Sequence, residues 1–238
     1  LWSRLDDAGK AEARRLAETV RDWQETPDSP EDLAKLPRLS VDDLDRENTL
    51  IPVEDRDGSD PEVWVHDLDA PGLVYMDLAL DLGGLPQEYV PYLPLFKRSL
   101  LETGAAGQSF VDLGLRIAAK TGGISAETFT SNHFDQSDPV FRFLVRGKAT
   151  TDKVQDLYAI VSDVLCSANV TDMDRVRQIA MQMKTRHEHR LAPAGHSVAN
   201  TRLAARFSQA GALSEQMHGL SQLFFLRELV DNFEDRAE

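Results

Sequence analysis

Two short segments in the last third of the chain contain residue types that perform hydrolytic chemistry. The first is His187-Glu188-His189, which sets two imidazoles beside a carboxylate, the groups that hold zinc and activate water in metallopeptidases. Side chains two residues apart on a helix point about 200° from each other, so these histidines cannot share an ion. The inverted zinc motif H-x-x-E-H also fails, because Thr185 occupies its first position. The segment therefore predicts a polar helix surface and no metal site.

The second segment, Gly195-His196-Ser197-Val198-Ala199, approximates the G-x-S-x-G turn that exposes a nucleophilic serine in α/β-hydrolases. That turn follows a buried strand, whereas the charged run KTRHEHR and a Leu-Ala-Pro-Ala turn precede this segment. Its last position is also Ala199 in place of glycine. The start of a helix after the proline turn is the better interpretation. A self-contained hydrolase that uses Ser197, or His187 and His189, stays open as an alternative.

Two other groups of residues could bind a ligand or transfer a proton. Neither Gly104-Ala105-Ala106-Gly107 nor Gly122-Gly123 fits G-x-G-x-x-G or G-x-x-x-x-G-K-[ST], so these glycines predict helix caps and turns. Asp77 and Asp81 share one face of a predicted strand, where they could act as an acid and a base. The sequence supplies no recognisable pocket or partner for them, and an exposed polar face is the stronger interpretation.

The elements that position these residues follow from the apolar periodicity. Residues 72–82 alternate as in a half-buried strand, with an apolar face formed by Val74, Met76, Leu78, Leu80 and Leu82. Further strands are predicted at 62–68, 124–132 and 140–149. Helices are predicted at 89–103, 109–121, 151–168, 172–190, 196–209 and 215–233. Strands followed by helices predict an α+β fold, in which helices pack on one face of a mostly antiparallel sheet.

Residues 1–61 are predicted to form a helical linker ahead of a domain at 62–238. A narrow apolar stripe at spacings of three and four runs along 1–25, through Trp2, Leu5, Gly9, Ala13, Leu16, Val20 and Trp23. Such a stripe predicts an amphipathic helix that docks on a partner surface. Ser29 and Ser40 carry the N-cap signals of two further short helices. The chain enters the first helix at Leu1 without an initiator Met, so a piece of a longer protein is expected.

The composition excludes several classes of partner. The chain has 238 residues, with 40 acidic and 26 basic side chains and a net charge of -14. This charge repels a polyanion, so no nucleic-acid partner is expected. No run approaches the ~18 apolar residues that span a bilayer, so no membrane partner is expected. The acidity is concentrated in residues 1–62, which hold 18 acidic and 9 basic residues.

The single cysteine bears on the compartment. Cys166 lies in the apolar helical run VQDLYAIVSDVLCSA, so no internal disulfide can form and a buried thiol is predicted. One unpaired cysteine indicates a reducing compartment, such as a bacterial cytoplasm or an organelle matrix. The sequence does not choose between these two.

Several short motifs, in a fixed order, together resemble one known family. They are Leu36-Pro37-Arg38-Leu39-Ser40, the strand 72–81, Leu85-Pro86, Tyr92-Leu93-Pro94-Leu95-Phe96, Thr121-Gly122-Gly123-Ile124-Ser125 and Gly195-His196. The pattern is similar to the linker and third domain of the presequence-protease branch of the pitrilysin/insulinase zinc metallopeptidases. The similarity extends over nearly the whole chain.

The resemblance implies a role in a large clamshell enzyme that encloses and cuts short unfolded peptides. In this family, four related α+β units form two halves joined by a helical linker, and only the first unit carries the inverted zinc motif. The resemblance therefore implies that this chain is non-catalytic and contributes to the wall of the peptide-enclosing chamber. Its partners would be the N-terminal catalytic half and the fourth domain of the parent chain.

The resemblance also indicates which residues replace the zinc motif. The two ligand histidines correspond to Leu95 and Ser99, and the catalytic glutamate to Arg98. Leucine has no donor atom, serine is a poor zinc ligand, and arginine is cationic where a general base is required. No catalytic, cofactor-binding or metal-binding residue is therefore expected here, and the zinc would belong to the parent enzyme. The alternative is a zinc-free scaffold or peptide-binding subunit related to the same superfamily.

Overall fold

A computed structural model of the chain describes residues 5–56, 61–134 and 138–236. The chain forms two compact units, Leu1–Leu68 and Asp69–Glu238. Within the described residues, no helix has both the length and the apolar character needed to cross a membrane.

The first unit consists of short elements with side-chain caps. Its elements are helix α1 (Asp7–Glu25), helix α2 (Pro30–Lys35), a 3-10 turn (Val41–Asp43), and strands β1 (Glu54–Asp55) and β2 (Trp64–Val65), which pair antiparallel. Asp6 caps α1 by accepting a hydrogen bond from the Gly9 N–H, and Ser29 caps α2 by accepting one from the Asp32 N–H. The predicted strand at 62–68 is much shorter in the structure, where it pairs with β1.

The first unit has no core of its own among its described residues, since none of them is buried. Along α1 the apolar stripe is open to solvent at Leu16, Val20 and Trp23, whose side chain is 78% exposed. Further large apolar side chains of the unit are exposed at Leu33, Leu36, Leu39, Val41, Leu44, Leu50, Ile51, Val53, Val63, Trp64 and Leu68. A surface of this kind is typical of a segment that is covered by another surface.

The second unit is built on a three-stranded antiparallel sheet. The strands are β3 (Leu73–Asp81), β4 (Ile124–Ser131) and β5 (Val140–Thr150), in the order β3-β5-β4. The predicted alternation is present in β3, where the inner residues from Val74 to Leu78 are half-buried and the residues between them are exposed. In the central strand β5, Phe141, Phe143 and Val145 are buried. The sheet therefore has one covered face and one open face.

Helices cover the first of these faces, as the α+β prediction requires. A 3-10 turn (Gln87–Tyr92) leads into α3 (Leu93–Glu102) and α4 (Phe110–Lys120), and a second (Thr151–Lys153) leads into α5 (Val154–Ser167). The remaining helices are α6 (Met173–Leu191), α7 (Gly195–Ala204), α8 (Gln209–His218), α9 (Leu220–Asp231) and α10 (Phe233–Arg236). Ser109 caps α4 and Asp172 caps α6, each by accepting a hydrogen bond from a backbone N–H three residues on.

The predicted division of the C-terminal helices is wrong. The sequence predicts two helices, 196–209 and 215–233, whereas the structure has α7, α8 and α9 followed by the short α10. Ser208 starts α8, because its hydroxyl accepts a hydrogen bond from the Gly211 N–H at 3.0 Å. Gly219 separates α8 from α9. Both breaks depend on local capping bonds, which apolar periodicity does not reveal.

The second unit contains two principal apolar clusters. One lies between the sheet and helices α3, α4 and α5, and includes Leu113, Phe143, Val145, Leu157, Ile160 and Val164. The other joins α3 to α6 and α9, and includes Leu95, Ile179, Ala180, Met183, Leu226 and Leu229. Helix α3 contributes to both, so it ties the sheet layer to the C-terminal helices.

The prediction of a buried thiol is wrong, because Cys166 is exposed near the end of α5. The buried residues of α5 are Leu157, Ile160, Val161 and Val164, which form one helical stripe. Cys166 follows Val164 by two residues and so lies about 200° around the helix from it. The helix packs as predicted, but its period directs the thiol to solvent.

Candidate functional site

The three positions aligned with a zinc motif lie on α3, and the structure gives each a different environment. Leu95 is buried in the cluster with α6 and α9. Ser99 is buried, and its carbonyl accepts a hydrogen bond from the Thr103 hydroxyl at 2.7 Å. Arg98 forms a bidentate ion pair with Glu102, with its Nη2 2.6 Å from Oε2. Across the described parts of the chain, no group of three or more His, Cys, Asp or Glu residues could hold a metal ion.

The open face of the sheet is a surface of the second unit that the helices leave uncovered. We use "open sheet face" for the outward side chains of its three strands, Tyr75, Asp77 and Asp81 on β3, Glu127 and Phe129 on β4, and Arg142, Arg146 and Lys148 on β5. Tyr75 is 63% exposed and Phe129 is 47% exposed. The surface thus combines accessible aromatic rings with ionised groups of both signs.

Ion pairs across the strands order the charged part of the open sheet face. Arg146 on the central strand donates to Asp77 on β3 at 2.9 Å and lies 3.7 Å from Glu127 on β4. Arg142 pairs with Asp81 on β3. Asp77 and Asp81 are exposed, as predicted, but each has its own arginine partner. Each carboxylate is therefore held in an ion pair, an arrangement suited to a fixed polar surface rather than to proton transfer.

A small cavity brings together the two segments that carry hydrolytic residue types in the sequence. It has a volume of about 50 Å³ and lies between α6, α7, α8 and α9. Its polar lining includes His187 and Arg190 from α6, Ser197 and Thr201 from α7, and His218 at the end of α8. Within the described residues, no hydrogen bond joins Ser197 Oγ to an imidazole. The cavity therefore lacks the serine–histidine contact that the hydrolase alternative requires.

The other residues of these segments point elsewhere. Glu188 accepts a hydrogen bond from Arg227 at 2.9 Å, which ties α6 to α9. His189 and His196 are exposed and do not line the cavity. Residues 195–204 form α7, so the predicted helix start at the Gly-His pair is present. The sequence contains no signal for His218, which reaches the cavity from a helix that the periodicity places incorrectly.

Both cavity histidines are held in their neutral form. Removal from water lowers the pKa of His187, and the charge of Arg190 lowers it further. His218 is exposed at its outer edge, yet the surrounding helices remove enough water to lower its pKa. Lys97, His187 and Arg190 add to this effect, and only a hydrogen bond to the Ser214 backbone opposes it. Positive charge is thus concentrated around the cavity.

We expect the stability of the chain to fall as the pH drops below about 6.5. The folded pKa values of His187 and His218 lie below the ordinary value for histidine, so the unfolded chain binds more protons in this range. The stabilisation is complete above the unfolded pKa and is lost as the pH falls through the folded values. Urea unfolding at about pH 7.5 and about pH 5.5 measures the difference. A His218→Gln variant should show a smaller pH dependence, and an unchanged one would contradict this account.

The predicted glycine turns have the expected backbone geometry. Gly104 follows α3 with φ +91, and a Cβ placed there would overlap the Gln108 carbonyl oxygen. Gly123 has φ +114 in the turn between α4 and β4. Both positions need the left-handed region that glycine adopts without strain. These glycines therefore shape turns, in agreement with the sequence.

Comparison with known proteins identifies relatives of the whole chain. A family model for the domain associated with peptidases of the pitrilysin type, subfamily C, matches residues 2–229. Presequence protease 1, chloroplastic/mitochondrial, from Arabidopsis thaliana is 39% identical over 228 residues, which cover 96% of this chain and 21% of that protein. Protein HypA from Clostridium perfringens is 27% identical over 208 residues, which cover 87% of this chain and 21% of that protein.

A fungal relative extends the pattern. Presequence protease, mitochondrial, from Yarrowia lipolytica is 26% identical over 239 residues, which cover 99% of this chain and 24% of that protein. The chain therefore spans between about a fifth and a quarter of the length of these curated relatives.

Proposed function

The chain belongs to this family of peptidase-associated domains, and from this membership we propose that it is a non-catalytic part of a zinc metalloendopeptidase that degrades short unfolded peptides. In this proposal residues 1–61 are a helical linker and residues 62–238 are a domain of the chamber wall. The catalytic step, attack of a zinc-activated water on a peptide carbonyl, takes place in another part of the parent chain. The 39% identity to a presequence protease over 96% of this chain carries the proposal.

The environment of α3 supports the non-catalytic role. Leu95 offers no donor atom and is packed in the core, while Arg98 is held in its ion pair with Glu102. Placing zinc there would require two new ligands and the loss of a part-buried ion pair. The zinc of the proposed parent enzyme is therefore assigned to the N-terminal catalytic half.

The open sheet face is the surface that we assign to the chamber interior. Unfolded peptides vary in sequence, so a surface that admits many of them should offer general contacts rather than a deep specific pocket. Exposed rings at Tyr75 and Phe129 supply apolar contact, and the paired charges of Asp77, Arg146 and Glu127 leave no strong local field. The exposed apolar side chains of the first unit are assigned to contacts with the remainder of the parent chain.

The natural gene gives the first test of this proposal. Sequencing the transcript on both sides of the coding region for residues 1–238 should reveal an H-x-x-E-H motif several hundred residues upstream. A gene without that motif would favour the alternative, a zinc-free scaffold or peptide-binding subunit. Zinc-dependent cleavage of peptides by the 238-residue chain itself would contradict the non-catalytic assignment.

In the natural full-length enzyme, we expect Tyr75→Arg to lower kcat/KM for peptide cleavage roughly fivefold to tenfold. The physical reason is the loss of about 1 kcal/mol of apolar contact between the ring and the enclosed peptide. Zinc content, measured by metal analysis, should not change. Leu115→Arg is the matched control, because Leu115 is 65% exposed on the helical side of the same unit. Equal losses in both variants would remove the open sheet face from the chamber interior.

A further inference from the structure

We propose that the cavity between α6, α7, α8 and α9 is a binding site for a small oxyanion of the phosphate or carboxylate class. The site is distinct from the open sheet face, and it is formed entirely within the second unit. It requires no residue from the remainder of a parent enzyme, so it stands independently of the proposed peptidase function.

The composition of the cavity wall favours an anion. Arg190, His187 and His218 contribute nitrogen donors, and Ser197 and Thr201 contribute hydroxyl groups. No Asp or Glu is among the described residues that line it. Guanidinium, imidazole and hydroxyl groups together are the usual donors to phosphate and carboxylate oxygens. A cationic wall of this kind disfavours a metal ion.

The guanidinium of Arg190 is available to a ligand. Within residues 5–56, 61–134 and 138–236, it takes part in no ion pair. By contrast, Arg202 and Arg227 on the neighbouring helices pair with Glu215 and Glu188. The charge of Arg190 bears on both imidazoles of the cavity. An oxyanion in the cavity would form the charge-assisted bond that the described protein groups do not supply.

The nearest buried carboxylate is already engaged. Glu215 Oε1 accepts hydrogen bonds from Arg202 at 3.0 Å and from the Ser221 N–H at 3.2 Å. Its other oxygen, Oε2, lies so close beneath Gly219 that a Cβ there would overlap it. The negative charge is therefore directed at Arg202 and the start of α9, whereas the positive groups face the cavity.

The size and ionisation of the cavity define the ligand further. A volume of about 50 Å³ admits one tetrahedral phosphate or one carboxylate group but not a nucleotide. Burial and the charges of Lys97 and Arg190 keep the imidazoles neutral. A bound anion reverses this effect and favours protonation of His187 and His218. Binding should therefore become tighter as the pH falls, because each imidazolium adds a charged donor.

Titration of the 238-residue chain tests the site with two probes, inorganic phosphate and a short peptide with a free C-terminal carboxylate. Proton NMR of the imidazole C2–H resonances reports binding, and sodium chloride at matched ionic strength is the reference. We expect saturable shifts of His187 and His218 with a Kd of about 1 mM for at least one probe. The affinity at about pH 6 should exceed that at about pH 8 roughly threefold to tenfold.

The outcomes of the two probes distinguish the sources of the oxyanion. Saturation by phosphate alone identifies a phosphate site. Saturation by the free-acid peptide, but not by the same peptide with an amidated C-terminus, identifies a carboxylate site. Shifts no larger than those caused by sodium chloride for both probes would overturn the proposal.

Two matched arginine variants provide the control. Arg190→Gln should weaken binding roughly tenfold, because it removes the charged donor without removing a structural ion pair. Arg186→Gln lies on the same helix outside the cavity wall and should bind as the unaltered chain does. Circular dichroism of both variants verifies that α6 is intact. Equal affinities in the two variants would overturn the assignment even if the anion binds.

Discussion

Replacing Leu157 with alanine is expected to destabilise the second unit by about 3 kcal/mol, among the largest effects of any single substitution in this chain. Leu157 is fully buried on α5, within the cluster that joins this helix to the sheet. Its methyl groups lie over Gly147 of the central strand, where a Cβ would be 2.6 Å from Leu157 Cδ1. The truncation leaves a void at the point where helix and sheet approach most closely. The free energy of unfolding, measured with urea, gives the effect.

Gly147 provides a second way to probe the same contact. A Gly147→Ala substitution places a methyl group against Leu157, and the overpacking should cost about 1–2 kcal/mol. In the double variant the new methyl group occupies part of the void, so the combined loss should be smaller than the sum of the single losses by about 1 kcal/mol. Leu115→Ala, at a position 65% exposed, is the control and should change stability by less than about 0.5 kcal/mol. Additive single losses would show that Leu157 does not pack on Gly147.

The sheet and its covering helices can be predicted because their signals are local. Alternation in β3 assigns Val74, Met76 and Leu78 to the covered face, and the structure places them there. Helix α4 begins after its predicted cap Ser109, and Gly104 closes α3 with a positive φ. Each of these features depends on neighbours within a few residues of sequence, which a single sequence displays directly.

The candidate surfaces can be predicted only in part, because their partners are distant in sequence. The sequence assigns Asp77 to an exposed face, but the ion pair of Asp77 with Arg146 spans 69 residues and depends on the strand register. The cavity joins His187 to His218 through the packing of four helices, and the periodicity misplaces the boundaries of the last of them. The apolar run around Cys166 predicts burial of every residue in it, although only one stripe of α5 is buried.

Glu215→Ala is the second substitution with a large expected effect, about 2–3 kcal/mol. The side chain of Glu215 is only 4% exposed, and it accepts hydrogen bonds from the Ser221 N–H and hydroxyl at the start of α9. Truncation leaves these donors without an acceptor and opens a void beside Gly219. The pairing with Arg202 adds less, since that side chain is 57% exposed and solvent screens it.

Glu215→Gln separates the charge from the shape of this residue. The amide oxygen can still accept from Ser221, while the amide nitrogen takes the place of Oε2, an atom that has no hydrogen-bond partner within the described residues. The expected loss is therefore smaller, about 1 kcal/mol. A loss equal to that of the alanine variant would mean that the ion pair with Arg202, rather than the start of α9, accounts for the stabilisation.

Gly219→Ala tests the same contact from the other side. Gly219 has φ -92, which any residue adopts, so the effect of a methyl group there is steric. That methyl group would overlap Glu215 Oε2 and must displace the carboxylate from α9, so the loss should match that of Glu215→Ala. With alanine already at 215, the second substitution should cost little more, and urea unfolding of the double variant measures this. Fully additive losses would show that the two residues act separately. Because Gly219 and His218 also line the cavity, this junction fixes the shape of the wall on which the oxyanion site depends.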